Sequence, residues 1–170
     1  MISLIVKIVL ALVGYVFATL QFIDGNIGNG IFLTLLAGLI TLLIFRNEIL
    51  LWTFWQLRKG DLDKAAGVLN RIKNPKYLVK RQRAYYWYLK GLTTSQSNVY
   101  EAEKYFKKSL NMGLKMSHDR AMAKMSLATA AMMRRRKKEA TLLLNEAKKL
   151  DKHNMLDEQI KMLKQQLKRI

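Results

Sequence analysis

The 170-residue chain has no cysteine, which excludes disulfides, thiolate metal sites and a cysteine nucleophile. It has a single proline, so long helices can run without a forced break. No stretch alternates apolar and polar residues as a half-buried strand would. Histidine is scarce. His118 and His153 are the only two, and neither has an HExxH or comparable metal-ligand spacing. Acidic residues are outnumbered, 12 against 30 Lys and Arg, giving a net charge of +18. Charge is nearly missing from residues 1–45, where Lys7 and Asp24 are the only charged side chains. The whole excess therefore lies in residues 46–170, with 29 basic and 11 acidic residues. A neutral apolar head on a basic body predicts a membrane-attached protein with a polar domain.

The head divides into two apolar runs. Ile2–Ile23 has 22 residues and Ile27–Phe45 has 19, closing at Arg46. At ~1.5 Å per residue each is about long enough for a bilayer core of ~30 Å. DGNIGNG between them is rich in turn formers, which predicts a two-span transmembrane hairpin over 1–45. A cleavable signal peptide would have a shorter apolar run, and no second span would follow it directly. The turn carries no Lys or Arg, whereas Arg46, Arg58 and Lys59 follow the second run. The positive-inside rule then places both termini and the basic body in the cytoplasm. Lys7 is expected to snorkel to that same surface, and Gly14 and Gly38 are candidates for close helix approach. No Asp, Glu or His lies mid-span, so an anchor is expected rather than an ion path.

Beyond the head, one pattern recurs. YEAEKYFKKSL carries Ala102 and Phe106 one helical turn apart. DKAAGVLNRI has Ala65 and Leu69 in the same relation, and KEATLLLNEA has Ala140, Leu144 and Ala147. The alanines recur at 37 and 38 residues (102 − 65 and 140 − 102). Such a period is the mark of stacked helix pairs, the small residue admitting a neighbouring backbone and the bulky one filling the gap beside it. The expected organisation is all-α: a helical body over 46–152 in about three units, then a C-terminal capping helix over 153–170. That last helix has Leu156, Ile160, Leu163, Leu167 and Ile170 on one stripe, suited to covering an exposed end; a short dimerising coiled coil is the alternative. In the junction, Trp52 and Trp55 are expected to pack as core on Ala65, Ala66 and Leu69, with an interfacial role as the alternative.

These residues resemble the tetratricopeptide repeat (TPR) family. The family pattern is an aromatic, a leucine and a glycine on the first helix, alanine and an aromatic on the second, then proline. Tyr86, Leu89 and Gly91, with one extra residue, and then Ala102 and Phe106 match it in the middle unit. Gly60, Ala65, Leu69 and a slightly early Pro75 match in the first. Leu127, Ala128, Ala140, Leu144 and Ala147 fit the last, where Arg135 stands in place of the turn glycine and the proline is absent. The resemblance implies a short α-solenoid whose first helices line a concave, partner-binding face. Leu50, Phe54, Tyr85, Tyr88, Met122, Met125, Met132 and Met133 would then point inward as an apolar groove for a helix or apolar segment; Met at helical spacing also fits plain core.

The basic clusters are the second candidate surface. Lys73, Lys76, Lys80, Arg81 and Arg83 flank the first inter-unit junction, and Arg134, Arg135, Arg136, Lys137 and Lys138 form an unbroken run at a turn. Adjacent cations repel, so this run is expected to do little for folding and to meet anionic lipid, RNA or an acidic protein. Glu101/Glu103 and Asp157/Glu158 read as solvated helix faces. No catalytic constellation, cofactor motif or small-molecule site is visible, and the chain is not expected to be an enzyme. The expectation is an adaptor, scaffold or assembly factor, a subunit of a membrane complex binding proteins at the cytoplasmic membrane surface. A ribosome- or translocon-associated factor is the alternative.

Overall fold

The computed structural model describes residues 4–45 and 48–169. Among the described residues all regular structure is helical, with no strand. Arg46, closing the second apolar run, lies outside the described residues, as do Ile2 and Ile170. Whether the second apolar helix continues into the next lies outside them too. The chain forms two compact units, residues 1–51 and 52–170. The division falls inside a helix, and the C-terminal helix lies within the second unit.

The first unit is built on α1 (Leu4–Ile23) and α2 (Ile27–Phe45), which pack on one another. Asp24, Gly25 and Asn26 make the turn, with Gly25 at φ 76, a backbone that residues with a Cβ rarely adopt. The seam is made of small residues: Ala11, Gly14 and Ala18 on α1 meet a face of α2 that buries Gly30 and Ala37. A Cβ on Gly14 would stand 3.1 Å from that of Ala37, so the two backbones approach about as closely as they can. Gly38, expected at this approach, does not take part; only the Tyr15 hydroxyl, 3.9 Å away, comes near its side. One residue is 100° of helix rotation, and Ala37 takes the inward place.

The second unit contains α3 (Glu48–Arg58, which begins in the first unit), α4 (Leu62–Leu69), a 3-10 turn (Pro75–Tyr77), α5 (Lys80–Thr94), α6 (Val99–Asn111), α7 (Ser117–Met133), α8 (Lys137–Leu150) and α9 (Asp157–Lys168). From α4 to α9 each helix packs on the next, most closely α5 on α6 and α7 on α8. The small-then-bulky pattern supplies the core: Ala65, Leu69, Ala102, Phe106, Ala140, Leu144 and Ala147 are all buried. Gly91 shows why smallness matters, because a Cβ there would fall 2.7 Å from the Phe106 ring. Local signals set the ends. Asn98 Oδ1 accepts from the Glu101 N–H at 3.1 Å and starts α6. Asp151 accepts from the N–H groups of Met155 (3.2 Å) and Leu156 (2.7 Å), fixing the approach to α9.

One expectation is overturned. Trp52 and Trp55 are not core; they are 56% and 53% exposed, while Thr53 is buried. The reason is that α3 and α4 do not pack closely as a pair, unlike α5–α6 and α7–α8. The α4 helix ends at Leu69, and Ile72 turns inward just beyond it. Arg135 sits in the α7–α8 turn at φ 56, a left-handed backbone like that of Gly60 (φ 84) in the α3–α4 turn. Residue 135 therefore has the conformation of a turn glycine without its freedom.

Candidate membrane and partner-binding surfaces

The outer faces of α1 and α2 invert the usual order of a water-soluble fold. Alanine and glycine fill the seam, while Val9, Leu12, Val16, Phe17, Ile23, Phe32, Leu35, Leu39 and Leu42 stand exposed. The stretch Val6–Ile23 is long and apolar enough to cross a membrane, and the apolar stretch of α2, Ile27–Leu42, is shorter. Lys7, the one cation of the head, pairs with Glu48 at the start of α3, so it has an acidic partner. Burial pushes the Glu48 carboxyl up, but the Lys7 hydrogen bond and charge outweigh it and hold the group below its ordinary value. Next along α3, Trp52, Phe54 and Trp55 are exposed, with Lys59 Nζ 3.4 Å from the centre of the Trp55 ring.

The expected groove residues are not gathered on one open face. Leu50, Tyr88 and Met132 are buried. Met122 and Met125 pack against a cluster of Ala121, Ala147, Leu156 and Ile160, the last two from the α9 segment. The apolar stripe of α9 is thus spent on α7 and α8, and it covers the methionines that would have lined a groove. Tyr85 is half-buried, its ring 5.8 Å from that of Tyr88. Of these residues only Phe54 and Met133 are exposed, at 43% and 57%. A concavity of about 380 Å³ lies between α7 and α9, lined by Thr129, Met132, Met133, Leu163, Gln166 and Arg169.

Two buried acids were not foreseen in their true setting. Glu103, read as a solvated face, is buried on α6; its Oε1 accepts from Lys107 Nζ at 2.6 Å. Arg134 Nη2 lies 3.1 Å from its Oε2, close but not aligned as a hydrogen bond. Burial raises the Glu103 pKa, and these cations reverse the sign and hold it low. Asp119, in the first turn of α7, is buried with Oδ2 lacking a hydrogen-bond partner. Burial pushes its carboxyl up, His118 only partly offsetting this. Burial, then the nearby Asp119, likewise raises the Tyr88 hydroxyl. The signal available in the sequence was position: both acids lie on helix stretches rich in small or aromatic residues.

The basic residues divide by use. Arg83 is a strut: its guanidinium donates to the carbonyls of Lys76 (2.8 Å) and Leu78 (3.1 Å). Arg134 joins Glu103 and lies 4.7 Å from the centre of the Tyr100 ring, and Arg136 pairs with Glu139. The run 134–138 therefore does contribute to the fold, contrary to expectation. Lys73, Lys76, Lys80, Arg81, Arg135, Lys137 and Lys138 are exposed, and no salt bridge joins them to an acid among the described residues.

Among the described residues no three His, Asp or Glu side chains converge as a metal site would require. His153 is exposed, and His118 is half-buried with Nδ1 unpartnered. Asp157 is held below its ordinary pKa chiefly by the Lys161 hydrogen bond, an ion pair within one helix. No protein-family model, curated protein or solved structure matches the chain.

Proposed function

We propose that the protein is a membrane-anchored, TPR-like adaptor that binds protein partners at the cytoplasmic membrane surface, as a subunit or assembly factor of a membrane complex. The observation that carries the membrane part is the inverted pairing of α1 and α2, small residues inward and large apolar residues outward. Half-exposed Leu, Ile, Val and Phe forgo roughly 1 kcal/mol each in water. Over two whole helices that loss exceeds the ~5–15 kcal/mol by which a domain is stable, whereas lipid removes it. Both helices are proposed to span, α2 being completed by residues up to the Arg46 end of its apolar run. Lys7 and Glu48 pair at one end of the helices, and the exposed Trp52 and Trp55 suit headgroup depth. The adaptor part rests on the TPR resemblance and the sequential packing of α4 to α9.

The test uses the missing cysteines. In sealed, oriented vesicles, a cysteine at Asn26 should react from the face opposite to one at His153, and alkaline carbonate should not extract the chain. Labelling of both positions from one face would end the two-span reading. For the adaptor role, protein solubilised in mild detergent should capture defined membrane proteins, and replacing exposed Phe54 and Met133 by Ala should weaken the capture; unchanged capture removes these residues from the binding face. The ribosome-associated alternative draws on the exposed Arg135, Lys137 and Lys138. It requires cosedimentation with ribosomes that collapses as salt rises, and its absence at low salt excludes it.

A further inference from the structure

The connection between α4 and α5 has a feature that neither the repeat pattern nor the anchor explains. Tyr77 is 88% exposed and Val79 62% exposed, yet the segment holding them is tightly built. Ile72 and Leu78 point inward and are buried. Asn74 Oδ1 accepts from the Lys76 N–H at 3.2 Å, and the Arg83 guanidinium clamps the carbonyls of Lys76 and Leu78. The two apolar side chains are thus held out in water by a fixed backbone. Around them stand Lys73, Lys76, Lys80 and Arg81, all exposed. Between Asp63 and Glu101 the sequence contains no acidic residue at all, so nothing local neutralises these cations.

We propose that this loop, residues 73–81, is a second membrane contact that docks on anionic phospholipid, a reading that rests on the anchor proposed above. Tyr77 and Val79 would enter the headgroup layer while Lys73, Lys76, Lys80 and Arg81 meet lipid phosphates. An amphipathic ring together with an aliphatic tip and flanking cations is the chemistry of that interface. RNA fits less well, since Val79 offers nothing to a base and single-strand recognition stacks successive bases on aromatics. An acidic protein would use the charges and leave the apolar tip unexplained. The tether raises the effective lipid concentration at the loop, so modest affinity suffices. Docking here would hold the helical body at the bilayer by more than its single covalent link.

The full chain, reconstituted into vesicles, tests this by single-cysteine nitroxide labelling at Tyr77, with Leu12 and His153 as reference sites. Collisions with oxygen, which partitions into lipid, are compared with those of a water-soluble nickel chelate. In phosphatidylethanolamine–phosphatidylglycerol vesicles the residue 77 label should lose most of its aqueous collisions and gain oxygen collisions. In phosphatidylcholine vesicles, or at high salt, it should read as water-exposed. Each cation removed should weaken docking about fivefold, so the joint change of Lys73, Lys76, Lys80 and Arg81 to Gln, or to Glu, should return the label to water in the anionic vesicles. The Leu12 label should read lipid in both compositions; if it reads water, the anchor has failed rather than the loop. A residue 77 label that stays aqueous in anionic vesicles while Leu12 reads lipid overturns the proposal. Shielding that appears only when ribosomes are added overturns it in favour of RNA.

Discussion

Gly91 and Gly67 both lie inside helices, and replacing each by alanine should move stability in opposite directions. Alanine is favoured over glycine within a helix by about 1 kcal/mol, because glycine loses more backbone freedom on folding. At Gly67 in α4 nothing lies within 4 Å of the added methyl, so Gly67→Ala should stabilise by about that amount. At Gly91 in α5 the methyl would meet three atoms of the Phe106 ring at 2.7, 2.8 and 3.0 Å. Carbon atoms rest at about 3.5–4.0 Å, so the ring must withdraw by the better part of an ångström. Phe106 is only 1% exposed, and the Tyr88 ring stands 6.2 Å from its centre. Overpacking of this kind costs about 1–3 kcal/mol, which outweighs the helix gain and leaves a net loss of about 1 kcal/mol. Thermal unfolding of the full chain in detergent, followed by far-UV ellipticity, should separate the two variants by roughly 2 kcal/mol, or about 8 °C. Adding Phe106→Leu should make the pair less harmful than the sum of its parts. A Gly91→Ala protein that melts above the parent, as Gly67→Ala should, would refute the close approach of α5 and α6.

Three further outcomes follow from single residues. Arg135→Gly should stabilise by about 1 kcal/mol by relieving the φ 56 backbone, whereas Arg136→Gly, at φ −86, should not; equal effects in the melting curves would show that strain is not the cause. Asp119→Asn should raise stability at neutral pH by about 1 kcal/mol, since it removes a buried charge whose Oδ2 is unpaired. The folded pKa of Asp119 is raised above the ordinary 3.8, so the parent's deficit sets in as pH rises through the folded value. The advantage of Asn should therefore shrink on acidification, and a gap independent of pH would contradict this. Glu103 has the opposite sign. Its folded pKa is depressed, so its contribution is present at neutral pH and fades as pH falls through the carboxylate range. Glu103→Gln should lose about 1 kcal/mol at pH 7, a modest figure because Lys107 and Arg134 are 52% and 33% exposed; melting at two pH values checks both size and sign.

The sequence by itself determined that the chain is helical and which residues recur as small-then-bulky pairs. Those features are local: a period of 3.6 shows in the order of residues, and Ala65, Ala102 and Ala140 all fall inside their helices. What each face meets is a long-range matter, and there only the tertiary structure decided. It chose Ala37 over Gly38 for the α1 seam, and it drew α9 over the methionines of α7. It left Trp52 and Trp55 exposed because α3 and α4 are not closely packed. Charge behaved the same way. A run such as 134–138 looks uniform in sequence, but Arg134 reaches a buried carboxylate on α6 while Lys137 and Lys138 reach water. Tyr77 shows the converse: nothing in its neighbours along the chain singles it out, and the inward Ile72 and Leu78 and the Arg83 clamp hold its ring outward. Periodicity specifies a face; the partner of that face comes from packing between residues far apart in the chain.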